Sequence, residues 1–256
     1  MLEFNELENI ARLKHLSLKN AEKDYLQDLI LFGLSLYINR ELIFKGGTCL
    51  YKIYKLDRFS EDLDFNLARP IDIRNIMEKI LRDFSLLNIK ANLKEFKKYK
   101  NEINIKMLFN GPLYKGARES QCFIPLNISL KEKISSEPRK EMIISLYKEI
   151  PNFEIFAMDE NEILAEKVRA ILTREKARDI YDLWFLIMKK KAIFDMGLIN
   201  KKLRLYNLKF DKKEFIDSID AKKGWWDLDL KNLIIHELPN FDIVRKDIIN
   251  YLITYK

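Results

Sequence analysis

The scarcity of glycine and proline is the feature that most constrains how this chain can fold. Its 256 residues include only 7 Gly and 6 Pro, whereas average usage of about 7% and 5% would give roughly 18 and 13. A chain this poor in both residues is neither collagen-like, nor a flexible linker, nor a loop-rich disulfide scaffold. The few glycines are therefore informative, and two of them are adjacent, at Gly46 and Gly47.

The prolines divide the chain into two parts of different character. Five of the six lie between residues 70 and 151, whereas residues 152–256 contain one proline and two glycines. Because proline and glycine interrupt helices and mark turns, the first part should mix strands with helices and the second should be mostly helical. We therefore expect an α+β fold, with a sheet domain at 1–151 and a mainly α-helical domain at 152–256.

Hydrophobic periodicity places the individual elements of this fold. Apolar residues spaced for a helix, or alternating as in a strand, distinguish the two types. Helices are predicted at 20–39, 48–56, 72–87, 160–174, 178–190, 211–220 and 240–254. Strands are predicted at 42–44, 63–67, 89–97, 103–109 and 123–130, all within the first part.

Cysteine and histidine usage argues against a zinc site and against histidine chemistry. Cys49 and Cys122 lie 73 positions apart, and only two histidines accompany them, whereas structural zinc sites need clustered ligands. Unclustered cysteines suit a reducing compartment. The opening residues lack the basic-then-apolar pattern of a signal peptide, and no apolar run of about 18 residues predicts a membrane span. We expect a soluble, cytoplasmic protein with no membrane partner.

A moderate excess of basic residues is partly local. The formal net charge is +7, and residues 90–100 hold five lysines against one glutamate. A basic face of this kind attracts polyanions such as nucleic acid. Lysines also protect the exposed edge strand of a sheet from pairing with other chains. The stretch therefore predicts either a surface that binds a polyanion or a solvated edge strand.

The segment Phe44-Lys45-Gly46-Gly47-Thr48 has the composition of a turn that approaches an anionic ligand. A strand leads into the two glycines, and a helix is predicted to begin at Thr48. Unpaired amides in the first turn of that helix, together with the Thr48 hydroxyl, can contact phosphate oxygens. Glycine allows the backbone to come close without a side chain in the way.

Asp62 and Asp64 follow this turn on a predicted strand. Residues two apart on a strand share a face, so Leu63 and Phe65 can be buried while both carboxylates point to one place. Paired carboxylates beside a phosphate-binding turn are suited to Mg²⁺, which takes oxygen ligands and bridges to substrate phosphates. The alternative is a turn followed by two solvated acids, since acid-x-acid pairs are common in this chain.

Two segments together resemble a known family. KGGTCLYKIYKLDRFSEDLDF (45–65) is similar to the glycine turn and acid pair of the nucleotidyltransferase superfamily that includes DNA polymerase β, and more closely to the AbiEii/AbiGii toxins of type IV toxin–antitoxin and abortive-infection systems. LAEKVRAILTR (164–174) with KARDIYDLW (176–184) resembles the second segment of that family, and GWW (224–226) resembles it more weakly. The resemblance covers nearly the whole chain.

The resemblance implies a fold and an activity. The fold is a polymerase-β-like domain, with a mixed sheet flanked by helices, followed by a helical domain that completes the nucleotide site. The activity is Mg²⁺- or Mn²⁺-dependent transfer of NMP from an NTP to an acceptor, most plausibly the 3′ end of tRNA, which would block translation. The implied partners are NTP, RNA and a cognate antitoxin encoded nearby. NMP transfer to a protein side chain, and a member that binds nucleotide or RNA without catalysis, are the alternatives.

The resemblance also implies roles for individual residues. Asp62 and Asp64 would hold the metal as catalytic residues, with Lys167 and Asp179 also catalytic. Nucleotide-binding residues would be Gly46, Gly47, Thr48, Ser60, Lys167 and Arg178.

Helical periodicity allows other interpretations of the second segment. Lys167 falls within the apolar arc of its helix, so it either extends along the surface to solvent or reaches a ligand anion. Glu162, Glu166 and Arg169 fall outside that arc. Arg178 and Asp182 are spaced for an i,i+4 ion pair with a purely structural role.

Asn127 marks a departure from the family. Related enzymes supply a third carboxylate from a later strand, and the matching stretch here is Leu126-Asn127-Ile128-Ser129. An amide cannot act as a base, so either Asp62 and Asp64 suffice, or another acid serves, or the enzyme is weak or inactive.

Overall fold

The computed structural model describes residues 2–254, which form two compact units. The first comprises the chain up to Ile53, Phe59–Ile134 and Pro138–Ala157. The second comprises Tyr54–Arg58, Ser135–Glu137 and the chain from Met158 onward. Neither unit is therefore continuous in sequence.

The first unit contains four helices and seven strands among the described residues. The helices are α1 (Phe4–Leu13), α2 (Leu18–Tyr37), α3 (Gly46–Lys52) and α4 (Ile73–Leu86). The strands are β1 (Leu42–Lys45), β2 (Leu63–Leu67), β3 (Ala91–Lys98), β4 (Glu102–Phe109), β5 (Cys122–Ser129), β6 (Arg139–Ile143) and β7 (Phe153–Ala157), and a 3₁₀ turn spans Arg118–Ser120.

All seven of these strands form one mixed sheet in the order β3-β4-β5-β2-β1-β7-β6. β2 runs parallel to β5, β1 runs parallel to β7, and the other neighbours are antiparallel. Strands β4 and β5 alternate in burial along their length, and in β2 Leu63 and Phe65 are buried while Asp64 between them is only partly so. Helix α2 packs against β5 and β7, and α4 packs against β3. Because one set of alternate residues is buried, the other set, which includes Asp64, can contact a ligand.

The second unit is helical, as expected from the scarcity of proline. Its helices are α5 (Glu160–Thr173), α6 (Arg178–Met188), α7 (Met196–Arg204), α8 (Lys212–Asp220), α9 (Trp226–Leu230) and α10 (Phe241–Thr254), with a 3₁₀ turn at Lys223–Trp225. Aspartate side chains at Asp159, Asp195 and Asp211 cap α5, α7 and α8 by accepting from the backbone N–H two or three residues later. Local sequence thus sets where these helices begin.

The predicted α+β class is confirmed, while several elements differ from the predictions. The strand at 63–67 is found with those bounds. Helix α3 ends at Lys52, four residues earlier than predicted, and α6 ends at Met188. Five elements were not predicted: α1, β6, β7, α7 and α9. β7 lies beyond residue 151, so the sheet extends six residues past the domain boundary predicted at that point.

Across residues 2–254, no helix has the combination of length and apolar character needed to cross a membrane.

Candidate active site

The glycine turn lies directly against the acid-bearing strand. Lys45, the last residue of β1, is paired in register with Asp64 of β2, and Gly46 begins α3 immediately afterwards. Gly46 has a φ of +76°, and a Cβ atom there would lie 2.5 Å from Oδ2 of Asp64. Glycine is required at this position both by the left-handed backbone and by the close approach of the carboxylate.

Thr48 connects the turn to the other acid. Its side chain is fully buried, and its hydroxyl donates a hydrogen bond to the main-chain oxygen of Asp62. The hydroxyl predicted to contact phosphate is therefore engaged with the protein. This hydrogen bond holds the glycine turn next to the start of β2. Only the backbone N–H of Thr48 therefore remains to contact a phosphate.

Asp62 and Asp64 fit a Mg²⁺ site of the type that substrate completes. Both are partly exposed, while Leu63 and Phe65 between and beside them are buried. Mg²⁺ is commonly held by one or two carboxylates, together with water and substrate phosphates, rather than by an all-protein cage. Residues 2–254 contain no group of three or more His, Cys, Asp or Glu placed to hold a metal.

Asn127 occupies the position opposite Asp64 on β5. The two residues are paired in register, and Nδ2 of Asn127 donates to Oδ1 of Asp64 at 3.1 Å. The amide thus orients the carboxylate, whereas a third acid at this position would have repelled it. The other oxygen of Asp64 faces Gly46.

Lys45 and Glu132 are neighbours of this site that the sequence analysis missed. Both are buried, and Nζ of Lys45 lies 3.3 Å from Oε2 of Glu132. The main-chain oxygen of Glu132 accepts from Nδ2 of Asn66, also on β2. Lys45 could have been noticed, because a lysine at the end of a buried strand directly before two glycines places a cation beside the turn. Nothing in the sequence indicated Glu132.

A buried ionic cluster holds α3 against α2. Nζ of Lys52 lies 2.8 Å from Oδ1 of Asp24 and 2.5 Å from Oδ1 of Asp28, and the Tyr147 hydroxyl donates to Asp24 at 2.7 Å. Burial raises the pKa of Asp28, whereas the charges of Lys52 and Lys14 outweigh burial and lower the pKa of Asp24. The cluster therefore holds the C-terminal end of α3, the helix that begins at the glycine turn.

The second unit contains an ionic network around Lys167. Nζ of Lys167 lies 2.9 Å from Oδ1 of Asp179 and 2.6 Å from Oδ2 of Asp182. Arg174 makes a two-point contact with Asp179 at 2.7 Å, and Arg58 makes another with Asp182 at 2.6 Å. Burial opposes ionisation of both aspartates, yet the adjacent cations lower the pKa of each.

This network changes the interpretation of several predicted residues. Lys167 is only 6% exposed, so it does not extend along the surface to solvent. Asp182 pairs with Arg58 and Lys167 rather than with Arg178, so the predicted i,i+4 pair is wrong. Arg178 is the first residue of α6 and is partly exposed.

The expectation that Glu162 and Glu166 lie outside the buried face of α5 is also wrong. Both are buried and both pair with Lys202, whose Nζ lies 2.6 Å from Glu162 and 3.3 Å from Glu166. Glu162 also accepts from the backbone N–H groups of Ser135 and Ser136. Periodicity placed them outside because it counts charged residues as solvent-facing, whereas α5 is buried on several sides.

Two remaining predictions concern the first unit. Ser60 is buried, and its main-chain oxygen accepts from Nε2 of Gln27 at 2.8 Å. The lysine-rich stretch 90–100 coincides with β3, an edge strand of the sheet, where Lys94, Lys97 and Lys98 are exposed. The edge-strand interpretation of these lysines is confirmed, and it does not exclude contact with a polyanion.

The first unit thus places a glycine turn beside Asp64 on a strand of a mixed sheet, with Asp62 immediately before that strand. The family described as "Nucleotidyl transferase AbiEii toxin, Type IV TA system" matches the chain over residues 30–244. The chain therefore belongs to the AbiEii family of nucleotidyltransferase toxins, and the resemblance seen in its sequence is confirmed.

Solved structures agree on the fold. JHP933 from Helicobacter pylori is 21% identical, with 93% of each chain covered and a TM-score of 0.60. MenT4, a nucleotidyltransferase toxin from Mycobacterium tuberculosis H37Rv, is 18% identical, with 94% of this chain and 87% of that chain covered and a TM-score of 0.65. No curated protein matches the chain.

Proposed function

We propose that this protein transfers NMP from an NTP to the 3′ end of an RNA, most plausibly tRNA, in a Mg²⁺-dependent reaction that blocks translation. Membership of the AbiEii family supports nucleotidyl transfer by a toxin. The observation that carries the site assignment is the close approach of Gly46 to the Asp64 carboxylate, because it puts a bare backbone turn beside a metal-binding acid.

In this proposal the first unit holds the reacting groups. Asp62 and Asp64 bind Mg²⁺, and Gly46, Gly47 and the backbone of Thr48 leave room beside Asp64 for metal-bound phosphate. Asn127 orients Asp64 through its 3.1 Å hydrogen bond. Mg²⁺, when bound, supplies charge neutralisation for the phosphates and lowers the pKa of the acceptor hydroxyl. The acceptor hydroxyl releases its proton to solvent, its oxygen bonds to the α-phosphorus, and the bond from that phosphorus to the bridging oxygen breaks, so that pyrophosphate leaves.

The residues of the second unit have a narrower role in the proposal. Lys167 contacts the triphosphate, as the family resemblance implies, and Asp179 and Asp182 hold its ammonium group in position. Arg178 and Ser60 are further nucleotide contacts on the resemblance alone. A cognate antitoxin encoded nearby and action in the cytoplasm, where NTPs and tRNA are present, complete the proposal.

The proposal can be tested by following radiolabel from the NTP into its acceptor. The protein is incubated with each of the four α-³²P-labelled NTPs, total RNA and Mg²⁺ or Mn²⁺, and the products are separated on denaturing gels. We expect label on small RNA and release of pyrophosphate. Label that migrates with protein would favour a protein acceptor. Nucleotide binding without release of pyrophosphate from any of the four NTPs would contradict an active enzyme.

Gly46→Ala should damage the site more than the fold. The variant places a Cβ against Asp64, so we expect transfer to fall about a hundredfold, as a misplacement of about 1 Å can cause. Gly116→Ala is the matched control, because Gly116 also has a positive φ of +84° but no heavy atom would lie within 4 Å of its Cβ. Both variants should lose about 1–2 kcal/mol of stability to the left-handed backbone. Equal activities of the two variants would contradict the assigned role of Gly46.

Asn127→Asp should make the site more dependent on metal. The new carboxylate would lie opposite Asp64, so we expect a lower Tm without Mg²⁺ and a larger rise in Tm on its addition than in the wild type. The Mg²⁺ concentration for half-maximal activity should fall by about tenfold, since affinity follows the charge of the ligands. Asn104→Asp is the control, because Asn104 lies in the same cross-strand row one strand further from Asp64. The same Mg²⁺ response in both variants would argue against metal at Asp64.

A further inference from the structure

The sheet face that carries Asp64 is polar from the catalytic strand to the sheet edge. One cross-strand row contains, in register, Asp64 of β2, Asn127 of β5, Asn104 of β4 and Lys97 of β3. Directly opposed residues share a face of the sheet. At strand spacings of about 4.8 Å, the row extends roughly 14 Å from Asp64 to Lys97.

The opposite face of the same strands is apolar and covered, so the two faces are clearly different. On β4 and β5 the residues that alternate with this row are buried, whereas Asn104 and Asn127 are partly exposed and Lys97, on β3, is exposed. The buried set is Ile103, Ile105, Met107, Ile124, Leu126 and Ile128. A face of this size that keeps polar groups accessible beside the candidate active site is available to a ligand.

An exposed aromatic ring lies on the polar face. Phe123 of β5 is paired with Leu108 of β4 and is 45% exposed. It lies four residues before Asn127 on the same face of β5, toward the end of β2 at which Asp62 lies, because Leu63 is paired with Leu126. Nζ of Lys94 lies 6.0 Å from the centroid of the Phe123 ring. The ammonium lies over the ring, so this accessible aromatic offers a planar group a surface for stacking with a cation next to it.

Three lysines give this face a positive character. Lys94 occupies the irregularity between Leu93 and Glu95 in β3, and Lys97 and Lys106 flank Glu95 at 3.1 and 3.9 Å. A single carboxylate therefore partly neutralises two of the three ammonium groups. The neighbouring edge residues Lys90, Lys98 and Lys100 are exposed as well.

We propose that this face binds single-stranded nucleic acid, with one base stacked on Phe123 and backbone phosphates on Lys94, Lys97 and Lys106. The identity of the reacting end rests on the proposed function: the terminal ribose would lie at Asp62 and Asp64. Stacking platforms combined with a cationic surface are how proteins bind single strands, whereas the bases of a duplex are stacked on each other and unavailable. This surface therefore selects an unpaired end.

A polypeptide is a poorer fit to the same surface. An extended peptide would add to the free edge of β3, and that edge carries a β-bulge at Lys94 and exposed lysines, both of which oppose strand addition. The exposed Phe123 ring and the neighbouring amides of Asn104 and Asn127 also provide no specific contact for a peptide backbone. The contents of the face thus favour nucleic acid over a protein acceptor.

The test measures binding without catalysis. A fluorescein-labelled, ten-nucleotide single-stranded RNA of mixed sequence is titrated with the full-length protein by fluorescence anisotropy, without NTP or metal. Phe123→Ala should weaken binding by about five- to a hundredfold, the range expected for loss of one stacked base. Phe123→Tyr should bind within twofold of the wild type. Ile144→Ala, at a more exposed apolar residue that follows β6 at the other sheet edge, is the control and should have no effect.

The salt dependence separates stacking from phosphate contact. Lys97→Ala should reduce the slope of log K against log salt by about 0.7, the value for one phosphate contact on a single strand, and Phe123→Ala should leave the slope unchanged. Unchanged affinity in Phe123→Ala, or equal affinity for a blunt duplex of the same sequence, would overturn the inference. A slope that Lys97→Ala does not alter would overturn the placement of phosphate there.

These results are distinguishable from those that test the proposed function. RNA binding that depends on Phe123 but no transfer from any NTP would support this surface while contradicting the enzyme. Transfer to RNA at the wild-type rate and affinity in Phe123→Ala would contradict this surface while leaving the enzyme intact. Transfer to protein, with no Phe123-dependent affinity for RNA, would contradict both.

Discussion

Replacing Asp62 or Asp64 with asparagine should reduce NMP transfer by a factor of about 1000 or more. Metal ions contribute several kcal/mol to transition-state stabilisation, and each 1.36 kcal/mol changes a rate tenfold. Both side chains are partly exposed, and asparagine has the same shape, so the thermal stability should change little. The measurement is pyrophosphate release and label incorporation across a Mg²⁺ titration, with unfolding followed separately.

Glu78→Gln is the control for this pair of variants. Glu78 is an exposed acid on α4 in the same unit, and its charge should not affect transfer. Wild-type rates in both aspartate variants would remove the metal assignment altogether. A large loss in only one of them would identify that residue as the main metal ligand.

Removing the Asp182 carboxylate should have the largest effect on stability. Asp182 is fully buried and pairs with both Arg58 and Lys167. Because removal of one member of a buried pair leaves charge in a medium that solvates it poorly, we expect Asp182→Asn to lose about 3–5 kcal/mol. For a chain of this size that corresponds to a fall in Tm of about 10 °C. Asp220→Asn is the matched control, because Asp220 makes a similar two-point contact with Arg245 near the surface and should lose less than about 1 kcal/mol.

The same network predicts a pH dependence. The pKa values of Asp179 and Asp182 are lowered in the folded protein, so the unfolded chain binds protons first as the pH falls below about 4. The stabilisation is complete above that pH and is lost progressively at lower pH. Urea unfolding between pH 6 and pH 3 should therefore show a steeper loss for the wild type than for Asp182→Asn. Parallel curves would contradict this assignment.

The sequence predicted strand β2 well because local rules determine it. Leu63 and Phe65 alternate with two acids, and a period of two can be recognised in five residues. The glycine turn was equally easy to recognise in the sequence, because glycine is so scarce in this chain. The short strands β6 and β7 were missed, because five residues with mixed polarity form a strand only when a neighbouring strand supplies hydrogen bonds.

The ionic partners could not have been predicted from sequence. Arg58 and Asp182 are 124 positions apart, and Lys202 and Glu162 are 40 apart, so no periodicity connects them. Sequence patterns treat each charge as solvated, and this is why Glu162 and Glu166 were placed outside the buried face. The contact between Asn127 and Asp64 depended on the register of two parallel strands, which the chain order does not specify.

The interleaving of the two units has a genetic consequence. The five residues Tyr54–Arg58 belong to the second unit, although they lie in the chain between the glycine turn and Asp62. A stop codon after Ala157 would leave Arg58 in the product without the Asp182 that neutralises it. Recombination at a single point therefore cannot exchange one unit for a homologue's without mixing their buried charges. The two units should be inherited together, and nonsense mutations that remove Asp182 should inactivate the toxin.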